Sequence, residues 1–277
     1  MLAIFKREFK SYFQNVIGWL FVAALLAVYG LYFYVYNLKN GYPYISYDLN
    51  GIGFIMMIAV PILTMRSLSD EKKTKTDQLM LTSPVSVGKI VAGKYFAMAA
   101  VYTIDIALFA LSPLVLSIYG KVALSEAYVA LFGYWLYGLS CIAVGLFISS
   151  ISESVIISAI LTFAALFLSY MMQSITGLIS SSGNLLTKVL NCFDLYTPFE
   201  NFVSGCFSVT SAAYYVTVIL LLCFLTTQSI QKRRWAFSKK MIGTGAFSAG
   251  MIVAERMLII GGCQEGSVTR TVILTLA

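Results

Sequence analysis

Six stretches of this chain are long and apolar enough to cross a hydrocarbon core of about 30 Å, which takes about 20 helical residues. They run roughly from Val16 to Tyr36, Leu49 to Met65, Tyr95 to Ile118, Ala127 to Ser149, Ser154 to Ile175 and Ala212 to Ile230. The second is the shortest and contains Pro61, which a membrane helix tolerates because neighbouring groups can satisfy the freed carbonyl. Composition requires the same reading. Of 277 residues, 59% are hydrophobic and 11% charged, whereas a globular domain carries about 25% charged residues to cover its surface. Most of this surface must face lipid, so the expected fold is an all-α integral membrane protein with six transmembrane helices. The first span begins too far in and runs too long for a cleavable signal peptide, and no small-residue cleavage site follows it.

The chain has no histidine, which excludes His-based acid/base catalysis, a Ser-His-Asp triad and a His metal cluster. Its five cysteines show no metal spacing. Cys141 and Cys223 sit inside spans and Cys263 near the C-terminus; Cys192 and Cys206 both fall in an outer loop and could bridge, although isolated thiols beside lipid-facing helices are the preferred reading. The net charge of +7 does not imply nucleic acid here, because in a membrane protein the positions of the charges carry the information.

Those positions set the orientation. Lys6, Arg7 and Lys10 precede the first span; Arg66, Lys72, Lys73, Lys75, Lys89 and Lys94 lie between the second and third; Lys232, Arg233, Arg234, Lys239 and Lys240 follow the sixth. Against these fourteen, the opposite side holds Lys39, Lys121 and Lys188. The positive-inside rule places both termini in the cytoplasm. One substantial loop, Arg66 to Lys94, is then cytoplasmic, and one, Thr176 to Ser211, is outside. The outer loop, broken by Ser180 to Gly183, predicts short helices at or dipping into the interface rather than a folded domain.

Residues 1 to 15 predict an amphipathic interfacial helix. Leu2, Phe5, Phe9, Tyr12, Phe13 and Val16 recur at intervals of three and four, with Lys6, Arg7, Lys10, Gln14 and Asn15 opposite. Such a helix either orients the first span alone or also touches a cytoplasmic partner. In the cytoplasmic loop, charged residues lead into Leu79, Met80 and Leu81, and Thr82, Ser83 and Pro84 then break the helix. Apolar side chains there need a protein surface to cover them, supplied by the chain's own helix ends or by a partner. Asp105 is the acid placed well inside a span, where ionisation is costly. It reads either as a polar element of a translocation path or subunit interface, or as a structural hydrogen bond to a Ser, Thr or Tyr on a neighbouring helix.

The string Glu71, Lys72, Thr76, Leu79, Leu81, Thr82, Ser83, Pro84, Val85, followed by Gly93 and Lys94, resembles the cytoplasmic-loop motif of ABC-2 type permeases, the membrane subunits of one class of ATP-binding cassette transporter. The resemblance is closest to the branch of gliding-motility and copper-site-maturation permeases. Three further features match: the amphipathic N-terminal helix, the short turn from Ser149 to Glu153, and Tyr196, Thr197, Pro198, Phe199, Glu200, Asn201 and Phe202 with Gly205 ahead of the sixth span. Lys75 departs from it, since the family often has glycine before the threonine.

The resemblance implies a permease domain over residues 1–240, multi-pass in a prokaryotic cell (inner) membrane. It pairs with a second permease subunit and docks the Glu71 to Val85 region into a cytoplasmic ABC ATPase. ATP and Mg would be bound by that partner, with no cofactor in this chain. No G-x-x-x-x-G-K-[ST] phosphate loop occurs anywhere in the sequence, so an enzymatic role is not expected. The function implied is that of a transporter subunit, most simply an exporter. A self-sufficient secondary transporter or channel is the alternative, but no repeat between the two halves supports it. A membrane-embedded enzyme is weaker still. Residues 241–277 contain an apolar stretch too short to span and take no assignment.

Overall fold

A computed structural model describes residues 2–74, 86–119, 123–179, 194–205 and 207–231. Every regular element in them is helical: α1 Leu2–Gln14, α2 Val16–Phe33 with a π-helical continuation Tyr34–Lys39, α3 Ser46–Thr64, α4 Ser69–Lys73, α5 Val87–Phe109, α6 Ser112–Tyr119, α7 Leu124–Ile151, α8 Val155–Ile179, α9 Thr197–Val203 and α10 Val209–Gln231. Six helical stretches are long and apolar enough to cross a membrane: Val16–Lys39, Ser46–Lys73, Val87–Ile118, Leu124–Ile151, Val155–Met172 and Val209–Gln231. The expected spans are therefore present, with shifted ends.

The start of the third span shifts by two turns. Expected to begin at Tyr95, it begins at Val87, after Ser86 in an extended conformation. Lys94, counted above with the loop cations, thus lies two turns inside α5. The span also breaks at Ala110 and Leu111, ahead of Pro113, and resumes as α6, as expected where proline cannot donate to the preceding turn.

The central helix is α7, which packs against α3, α5, α8, α9 and α10. Its spanning stretch is 72% buried, against 22% for Val155–Met172. Close approach comes from glycine. A Cβ on Gly133 would strike the Phe202 ring of α9, one on Gly138 the Tyr102 ring of α5, and one on Gly145 the Thr64 side chain of α3. Each glycine receives one bulky neighbour, the small-residue packing by which membrane helices associate. The exposed apolar side chains, such as Trp19, Leu20 and Leu31 on α2 and Ile156, Ile160 and Leu168 on α8, are where a lipid-facing surface requires them.

The predicted amphipathic helix is α1. Phe5, Phe9 and Phe13 form a ladder with ring centroids 5.9 and 5.0 Å apart, continued by Trp19 at 5.3 Å. Its apolar face lies on α5 and α2. The elbow into α2 is sharp enough that a Cβ on Gly18 would come 2.5 Å from the Tyr12 carbonyl oxygen. In the segment expected as the outer loop, residues 194–205 are described, and the first turn of α9 is capped by Asp194: Oδ1 accepts from the Tyr196 and Thr197 amides at 2.9 and 3.0 Å. Pro198, Phe199 and Phe202 are buried against the bundle.

Candidate functional site

The entry to the loop between the second and third spans is where the side chains of greatest chemical consequence meet. After α3 ends, residues 65–68 turn and α4 forms over five residues, with Asp70 and Glu71 in its first turn and Lys72 and Lys73 in its last, the order that complements a helix dipole. Ser149, at the end of α7, holds this turn in place: its Oγ accepts the Leu68 and Ser69 amides, both at 3.1 Å. The Lys72 ammonium donates to the Ser150 carbonyl, and Ser69 Oγ donates to the Met65 carbonyl.

Lys94 of α5 joins the other side. Its side chain is 1% exposed, and its Nζ donates to Glu71 Oε1 at 2.6 Å and to the Ser67 carbonyl at 2.9 Å, with Glu8 Oε1 of α1 at 3.5 Å. Arg7 Nη2 donates to the same Glu8 oxygen at 2.7 Å. Two cations and two carboxylates thus balance, which meets the requirement that a buried charge be paired. The hydrogen bond to Glu8 raises the Arg7 pKa further. Burial, then the negative charge of Glu8, raises that of Tyr12, so its hydroxyl stays protonated and donates to the Leu63 carbonyl at 3.4 Å. Glu8, Tyr12, Arg66, Asp70, Glu71 and Lys94 surround a cavity of about 220 Å³ between α1 and the loop entry.

Of the residues singled out in the sequence, Glu71 and Lys72 lie in this cluster. Both bond within the chain, Glu71 to Lys94 and Lys72 to the Ser150 carbonyl. Glu153 is exposed on the turn after α7, three residues beyond the Ser150 carbonyl that Lys72 holds. Thr76, Leu79, Leu81, Thr82, Ser83 and Pro84 lie outside the described residues, as do Cys192, Cys206 and residues 241–277. Among the described residues no group of His, Cys, Asp and Glu could hold a metal ion.

Asp105 is remote from the cluster, eleven residues or about 16 Å along α5 from Lys94. It is fully buried, as expected. Tyr102, Asp105 and Phe109 follow one face of the helix; the Tyr102 hydroxyl donates to the Tyr134 carbonyl of α7 at 2.7 Å, and the Phe109 ring stacks on Tyr29 of α2 at 4.1 Å. Neither carboxylate oxygen of Asp105 has a hydrogen-bond partner among the described residues. The structural hydrogen bond entertained for it is not made there.

Glu8 and Lys94 were not singled out as site residues. A signal for Glu8 existed: it stands three residues after Phe5 and four before Tyr12, on the apolar side of a helix whose cations are elsewhere. Lys94 stood among the loop cations and at the end of the motif string, with nothing in the sequence to place it inside the third span.

A comparison with curated proteins gives no match. A family model described as ABC-2 family transporter protein matches residues 32–227, more than half of the chain and all but the first and last parts of the six-span bundle. That match, on an all-helical protein with six helices able to cross a membrane, makes the chain a multi-pass membrane protein of the ABC-2 transporter family, the permease component of an ABC transporter.

Proposed function

We propose that this chain is the permease of an ABC exporter, powered by a separate ATPase subunit that binds ATP and Mg, and that it works beside a second permease subunit. Residues 1–240 form the permease domain in a prokaryotic cell (inner) membrane, with both termini cytoplasmic. The observation that supports this reading is the construction of the loop entry. Lys94 ties α4 to α5 and, through Glu8, to α1, while Ser149 and Ser150 tie it to α7. A push on the loop is therefore delivered to three helices at once, as a subunit driven from outside requires. Leu79 and Leu81 would be the apolar anchors on the ATPase, with Thr76, Thr82, Ser83 and Pro84 shaping the turn, Glu71 and Lys72 holding its base, and Glu153 beside them. Asp105 would be a polar element of the translocation path or subunit interface.

The test is to co-express the chain with its candidate ATPase and compare wild type with Leu79→Ala/Leu81→Ala. Truncation removes about 1.5 to 3 kcal/mol of burial per side chain, enough to weaken the complex tenfold or more while leaving the bundle folded. Undiminished complex and ATP hydrolysis would show that the loop packs on its own chain. A wild type that bound no ATPase would favour a self-sufficient transporter.

A further inference from the structure

Asn37, in the π-helical end of α2, and Asp48, in the first turn of α3, meet at the opposite end of the bundle from Lys94. Both are buried, at 4% and 0% exposure, and the Asn37 Nδ2–H donates to Asp48 Oδ2. The other oxygen of each side chain, Asn37 Oδ1 and Asp48 Oδ1, is buried without a hydrogen-bond partner among the described residues. An ionised carboxylate can only accept, and so can an amide oxygen, so the pair as ionised leaves two orphan acceptors. One proton on Asp48 Oδ1 satisfies both: the acid O–H donates to Asn37 Oδ1 while the amide N–H donates to Asp48 Oδ2, closing an eight-membered acid–amide ring. We propose that Asn37 and Asp48 form a buried proton-binding site, in which the protonated Asp48 carboxyl clamps the end of α2 to the start of α3.

The surroundings favour the neutral acid. The helix dipole at the start of α3 would support a carboxylate, but Asp48 caps no backbone N–H there. Tyr29 is the titratable group of α2 within electrostatic range. Its hydroxyl is bonded to Ser112. Lys39, at the end of the π-helical turn, and Glu126 of α7 are exposed, α8 carries no charged residue, and α9 contributes Glu200. Among the described residues no cation forms an ion pair with Asp48. A buried carboxylate with one neutral donor is poorly compensated. A π-helical turn, which displaces side chains from the regular ladder, recurs at functional positions, and here it carries Asn37.

The sign of the pH effect follows. Loss of the proton leaves Asn37 Oδ1 and Asp48 Oδ1 without a donor between them, so this contribution to stability is lost as pH rises through the titration of the pair. The experiment uses the purified full chain in lipid nanodiscs. Infrared spectra at neutral pH are expected to show a protonated-carboxyl stretch that disappears in Asp48→Asn. That variant preserves the ring, since its amide donates to Asn37 Oδ1, so its melting temperature should fall less with rising pH than the wild type's. Should Asp48→Asn fail to accumulate, Asn37→Leu removes the acceptor and shifts the same stretch to higher wavenumber. An unchanged stretch in these variants, or identical pH slopes, overturns the site. Stabilisation of the wild type by sodium that Asp48→Asn abolishes overturns it too, by assigning the two oxygens to a cation.

Discussion

The Lys94 ammonium, on a side chain 1% exposed, lies 2.6 Å from the Glu71 carboxylate, joining a helix of the bundle to the first segment of the loop between the second and third spans. Glu8, 3.5 Å away, brings in the interfacial helix. The arrangement cannot be dismissed as a surface ion pair, which contributes about 0 to 1 kcal/mol, because the cation is buried and both carboxylates are mostly covered. Its contribution is positional: it fixes how α4 leaves the membrane.

Lys94→Met should therefore be costly. Removing one partner of a buried pair destabilises by about 3 to 5 kcal/mol, and since Glu71 and Glu8 retain 21% and 15% exposure, the lower end of that range applies. Thermal unfolding of the purified protein measures it. Adding Glu71→Gln should recover part of the loss, because one of two uncompensated carboxylates is then gone. A double variant no better than the single would mean that Glu71 and Lys94 are not coupled.

The glycines of α7 give a second expectation. Gly138→Ala places a Cβ into the Tyr102 ring, an overpacking that costs about 1 to 3 kcal/mol. Gly30→Ala, on α2, meets nothing within 4 Å and should be neutral or gain up to about 1 kcal/mol of helix propensity. Equal melting temperatures for the two variants would remove the close approach of α5 to α7.

How much of this could be read from the sequence differs by feature, for physical reasons. The spans and α1 were legible because apolar length and a three-to-four spacing are local properties. The ends were less so: Lys94 is drawn into α5 by carboxylates 23 residues away on α4 and on the distant α1, and no local pattern announces such a partnership. Glu8, on the apolar side of α1 with Phe5 and Tyr12, gave a local signal, but its partner Lys94 lies on another helix and no local pattern names it. Asp48 lies one residue before the expected second span, where sequence gives no desolvation argument, yet it is fully buried. The glycines of α7 were individually unremarkable in sequence, and their role appears only when Phe202, Tyr102 and Thr64 are seen against them.

Orientation is tested independently of all of this. Asn40 and Thr74 are both exposed, at opposite ends of the span that includes α3. With both termini cytoplasmic, a cysteine at Asn40 should react with a membrane-impermeant thiol reagent applied to intact cells, and one at Thr74 should react only after the membrane is opened. Labelling at Thr74 in intact cells would invert the topology and remove the loop from the ATPase side.

Asp105 separates packing from transport. A buried polar group without a partner costs about 1 to 3 kcal/mol, and both of its oxygens are in that state among the described residues. Asp105→Leu, branched at the same Cγ but apolar, removes both orphan oxygens and should therefore raise the melting temperature, the reverse of what removal of a structural hydrogen bond would do. A residue retained against its own stability cost points to use, so the same variant should impair transport-coupled ATP hydrolysis in the assembled complex. Asp105→Asn, which keeps a polar group there, should fall between the two in stability. A lower melting temperature for Asp105→Leu would mean that the carboxyl has a partner after all, contributed by the undescribed residues or by a second subunit. Unchanged transport would make Asp105 a bystander and remove it from the translocation path.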